Sequence, residues 1–217
     1  MIQKEKRKFA VQVGIEIALL AVYIWIVEVW APGWFRPIFL WGFCVGFPIA
    51  CIARDQARTP QSFPEFSLDW RAFLRCLRLL VWFTAITTAV LILIALVFGN
   101  LNYDNKFLMR FSEYVFWAFL QQIGLQTFFT WRVGNVIDNP YRAAGVVAVV
   151  FSMIHFPNPV LMIFTLIGGF FWSLSYLKAP NLYALAVSHG WLAVVALHSI
   201  PRSWLHQLRI GPTFWSF

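Results

Sequence analysis

Gln121, Gln122 and Gln126 stand together in one apolar stretch, WAFLQQIGLQTFF. Two histidines follow in later apolar stretches, His155 in FSMIH and His189 in VSHGW. An imidazole titrates near neutrality and can move a proton. A glutamine amide is no base, but its N–H groups can hold a developing oxyanion. On a helix Gln122 and Gln126 lie one turn apart on a shared face, Gln121 sits about 100° round from Gln122, and Phe151 and His155 fall on one face. In lipid each such group costs free energy unless it is paired or faces a cavity. The plain alternative is structural: intramembrane amides often serve as interhelical hydrogen bonds worth about 0.6–2 kcal/mol each, and a single buried histidine commonly just packs. Three glutamines and two histidines on three separate stretches favour a common polar site.

The elements that must position these residues follow from composition. Of 217 residues, 60% are hydrophobic and 12% charged, against about 45–50% and about 25% in a soluble domain. Mean hydropathy is +0.69. That excludes disorder, a disulfide-framed secreted scaffold and a cytosolic enzyme, and implies an all-α polytopic membrane helix bundle in a single domain, residues 1–217. The apolar runs predict about seven spans of membrane-crossing length. They cover Phe9–Trp30, Trp34–Ala53, Ala72–Phe98, Phe107–Val133, Tyr141–Phe156, Pro159–Leu177 and Asn181–Ile200. The first run is too long for a signal-peptide core and has no small-residue cleavage site, so it reads as an anchor. On this layout Gln121 and His189 lie near mid-span and His155 toward the outer end of its own.

The net charge of +8 reads as membrane flanks rather than nucleic-acid binding. With the N-terminus in the cytoplasm, only Arg36, Lys106, Arg110, Arg202 and Arg209 of the 17 Lys and Arg fall outside. The layout fits a multi-pass protein of a bacterial or archaeal plasma membrane. Cys44, Cys51 and Cys76 have no metal-type spacing and read as small packing residues. His198 and His206 read as interfacial. Glu16, Glu28 and Glu113 are expected to be paired or near the headgroups.

A doubled polar pair, then F-x-x-x-H, then a histidine on a later helix resembles the CPBP family of intramembrane proteases, which includes the CAAX prenyl endopeptidases and bacteriocin-processing proteins. The resemblance covers about residues 110–200. Gln121 and Gln122 stand where that family has a glutamate pair, Gln126 where it has arginine, and Ala193 where its third motif has asparagine. Phe151, His155 and His189 match. The resemblance implies an intramembrane endopeptidase acting on a membrane-anchored or C-terminal tail peptide. His155, His189, Gln121 and Gln122 would be catalytic, and Gln126 and Phe151 would bind substrate. Since Gln cannot be the base, the role falls to His155 or His189. Glu113 is a poor stand-in, about 12 Å along the helix from Gln121. No cofactor is expected, and a divalent metal has only two imidazoles to hold it where a catalytic zinc takes three ligands. The other readings are an inactive relative that binds membrane peptides or partner subunits, and a haem or quinone site between the histidines.

Overall fold

The structure is a computed structural model, and it describes residues 3–30, 34, 45–58, 64–101, 106–210 and 214–215. Half of the second expected span, residues 35–44 with Cys44 among them, lies outside the described residues, as does the side chain of Glu28. The described elements are helical: α1 (Gln3–Trp30), α2 (Phe47–Arg58), α3 (Trp70–Val97), α4 (Phe107–Gln122), a π-helical segment (Ile123–Thr130), α5 (Trp131–Val136), α6 (Pro140–Ile154), α7 (Pro159–Lys178), α8 (Leu182–Ser199) and the short α9 (Arg202–Leu205).

Among the described residues, α3, α7 and α8 are long and apolar enough to cross a membrane, and α6 is apolar but shorter. Together with the apolar composition they make this an integral membrane protein. The long helix α1 carries Glu16 and the basic N-terminal run. The fourth expected span is helical from Phe107 to Val136, but eight residues in its second half, Ile123–Thr130, are wound as π-helix.

Polar side chains set where the helices begin. Asp69 accepts hydrogen bonds from the N–H groups of Arg71 and Ala72 ahead of α3. Asn139 does the same for Tyr141 and Arg142 ahead of α6, with Pro140 at the first helical position. Asn158 caps α7 through Leu161 N–H and Asn181 caps α8 through Ala184 N–H. Each cap satisfies donors that a helix start leaves without partners, and a proline in the first turn loses no bond there.

The bundle pairs α6 with α7, and sets α8 between α3 and α4. Small residues bring the axes close, as is usual where lipid offers no hydrophobic drive between helices. A Cβ on Gly190 would lie 2.8 Å from the Val115 backbone, and one on Gly169 would lie 3.3 Å from the Ala148 Cα. Hydroxyl and indole groups then tie α8 to its neighbours. Thr84 and Ser188 meet at 2.8 Å, Trp172 Nε1 donates to Ser188 Oγ at 3.2 Å, and Trp191 Nε1 donates to Thr88 Oγ1 at 2.9 Å. Cys51 and Cys76 are buried and free.

Candidate active site

Between α3, α4, α7 and α8 lies a cavity of about 670 Å³. Its size falls in the range of small-ligand sites, about 300–1,000 Å³. Gln121, His155, His189, Glu113, Tyr114 and Trp172 are among its lining residues, and the rest are largely apolar. Leu208 and Ile210 of the C-terminal segment also reach it. That segment is held by Asn158, whose Nδ2 donates to the carbonyls of Leu205 and Arg209 at 2.9 and 3.1 Å.

Behind Gln121, the other two glutamines form a hydrogen-bonded chain rather than cavity wall. Both are fully buried. Gln126 Nε2 donates to Gln122 Oε1 at 2.7 Å, and Gln122 Nε2 meets His189 Nδ1 at 3.2 Å. With its carbonyl engaged by Gln126, the Gln122 amide donates to His189. Nδ1 is therefore the acceptor and Nε2 carries the imidazole hydrogen. Trp172 stacks on the same ring, centroids 4.2 Å apart. The indole occupies room left by the missing side chain of Gly168, where a Cβ would lie 2.7 Å from it.

His155 ends α6 and has the opposite tautomer. Its Nδ1 lies 2.7 Å from the Phe151 carbonyl oxygen. A carbonyl only accepts, so Nδ1 donates and Nε2 keeps a lone pair. Phe151 lies between the imidazoles, its ring centroid 4.7 Å from His155 and 6.5 Å from His189. Gln121, His155 and His189 thus share one cavity. Gln122, Gln126 and Phe151 are not among its lining residues and support those that are.

The structure also places residues that sequence reasoning set aside or missed. Glu113 lines the same cavity as Gln121, two helical turns away. Its spacing to Trp117 and Gln121, four and eight residues, is the signal that puts all three on one face of α4. Trp172 and Thr165 had no such signal. His198 is buried in the protein: its Nδ1 bonds the Val194 carbonyl and its Nε2 meets Arg110 Nη1 at 3.0 Å. The His206 ring lies against Phe214, centroids 4.0 Å apart.

Glu16 is paired, in a buried cluster beyond the π segment. Arg132, fully buried, bonds Glu16 through Nη2 and Asp55 through Nε, the latter at 3.0 Å. Arg54 reaches the same two carboxylates at 2.7 and 2.8 Å. Among the described residues no three His, Cys, Asp or Glu side chains come together as a metal site.

No curated protein and no solved structure matches the chain. A family model does. Residues 104–195 match the model described as Rce1-like, type II CAAX prenyl endopeptidase. The matched range, under half of the chain, holds Gln121, Gln122, Gln126, Phe151, His155 and His189, and that stretch is similar to the family.

Proposed function

We propose that the cavity hydrolyses a peptide bond in a membrane-anchored or C-terminal tail segment, with His155 as general base. The opposite tautomers of the two imidazoles carry the reading. His155 Nε2 takes a proton from water as the water oxygen attacks the scissile carbonyl carbon. The oxyanion receives the Nε2–H of His189 and an amide N–H of Gln121, donors of the kind whose loss costs an acyl-transfer enzyme about 10²–10³ in rate. On collapse the C–N bond breaks, the amine leaves with the proton held by His155, and a carboxylic acid remains. Gln122 and Gln126 keep His189 in its donor tautomer. The largely apolar flank of Phe83, Ile86, Val90 and Leu91 suits a lipid-anchored tail.

The absence of carboxylates at positions 121 and 122 favours one second reading, a relative that binds such segments without turnover. One experiment serves both. The full chain in nanodiscs is given anchored tail peptides, and wild type is compared with His155→Ala and His189→Ala. Loss of cleavage by about 10²-fold or more in His155→Ala is expected. Binding without cleavage by wild type establishes the second reading, and equal cleavage by all three removes the site.

A further inference from the structure

A second cavity, about 510 Å³, opens at the end of the bundle where α3 begins and α7 ends. None of its lining residues is shared with the first. Glu65, 4% exposed, sits in its wall on the short 3-10 turn Pro64–Phe66. Tyr176, 5% exposed, donates its phenol hydrogen to Glu65 Oε1 at 3.1 Å. Among the described residues no lysine, arginine or histidine nitrogen lies within ion-pair distance of that carboxyl. A buried carboxyl without a cation is rare, because leaving water costs an ionised group dearly unless it is paired.

Three other polar groups of the wall each direct a hydrogen elsewhere, and Gln56 also lines it. The Thr127 hydroxyl donates to the Ile123 carbonyl, the Tyr176 hydroxyl to Glu65, and the Asn135 amide to the Trp131 carbonyl at 2.8 Å. With their single hydrogens engaged, the Thr127 and Tyr176 oxygens beside the carboxyl keep lone pairs for a guest. The complement of such a wall is a cation rich in N–H donors. The volume lies within the range of small-molecule sites and is far larger than a bare ion needs. Ile52, Leu177 and Trp131 supply apolar surface beside the carboxyl.

We propose that this cavity binds a small organic amine, its ammonium on Glu65 and its alkyl part against Ile52, Leu177 and Trp131. The site is independent of the peptidase reading. Occupancy would bridge α2, the Pro64–Phe66 turn, the π segment, α5 and α7, each of which contributes to the wall. Binding strengthens as the carboxyl ionises.

The test uses the full chain in nanodiscs, titrated calorimetrically with n-butylammonium. Its neutral isostere n-butanol, potassium ion and empty discs are run in parallel. Saturable binding of the ammonium is expected, at least tenfold tighter than the alcohol, strengthening from pH 5 to pH 8 and weakened at least tenfold by Glu65→Gln. Should Glu65→Gln fail to fold, the comparison of ammonium, alcohol and potassium on wild type still decides. Absent saturation, equal binding of the alcohol, competition by potassium at equal concentration, or an unchanged Glu65→Gln affinity would each overturn the proposal.

Discussion

Arg132 and Gln122 lie on one helical stretch, ten residues apart, and both are fully buried. Arg132 is charged, and its neighbourhood answers with two carboxylates and a second arginine, so that Glu16, Arg54, Asp55 and Arg132 form a balanced set. Gln122 is neutral, and its neighbourhood answers with dipoles: the Gln126 amide on one side and His189 on the other. A balanced set of full charges locks three helices together. A chain of dipoles costs less to bury and decides only which nitrogen of an imidazole holds its hydrogen. Between them the π winding of Ile123–Thr130 sets the register of both clusters. Thr130 Oγ1 donates to the Leu125 carbonyl at 2.9 Å and lies 3.0 Å from Ser173 Oγ, and π segments of this kind recur at functional sites.

The largest effect expected from breaking this contrast is on the charged side. Arg132→Met leaves Arg54 alone against two buried carboxylates. Its stability should fall by about 3–5 kcal/mol, the usual cost of unbalancing a buried ion pair, read as a drop in thermal midpoint in detergent. Adding Asp55→Asn rebalances the set and should recover part of that loss.

On the neutral side, Gln122→Leu leaves Gln126 and His189 without their partner. The cost is smaller, about 1–3 kcal/mol for unsatisfied buried polar groups. The sharper readout is the His189 imidazole ¹⁵N spectrum. Wild type should show an unprotonated Nδ1 and a protonated Nε2, and the variant a mixture of tautomers. A wild-type spectrum with the hydrogen on Nδ1 would remove the donor role assigned to His189.

Glu65 falls between the two cases, a buried carboxyl answered only by a neutral phenol, and its effect is the smallest. Burial pushes its carboxyl above the usual carboxylate range, partly offset by its own backbone and by the Tyr176 hydroxyl. A folded-state value above the unfolded one favours the protonated form in the fold. Its contribution to stability is therefore complete below the unfolded value and is lost as pH rises through the folded one. In the absence of amine, the denaturation midpoint of wild type should fall over that window while that of Glu65→Gln stays flatter. Parallel curves would show that Glu65 is not held in this way.

Much of the frame was readable from local pattern. The starts expected at 72, 141, 159 and 181 lie within two residues of the observed ones, because Asp69, Asn139, Asn158 and Asn181 punctuate the apolar runs with side chains that cap the next helix. The shared face of Gln122 and Gln126 was readable too, and their 2.7 Å bond bears it out. The π winding was not, since IGLQTFFT carries no local mark that separates it from ordinary helix. Glu113 was judged by its distance from Gln121 alone. That distance holds in the regular α4 helix, but the cavity is long enough to include both residues.

Composition alone determined that this chain belongs in lipid as a helical protein, because transfer from water and the pairing of backbone groups within each helix depend on each segment by itself. Tertiary structure decided which polar groups meet. Arg132 finds Glu16 across 116 residues, and His189 finds Gln122 rather than a lone contact. A hydrogen bond depends on partners brought together in space, and partner choice sets tautomer, charge balance and the division between cavity wall and support.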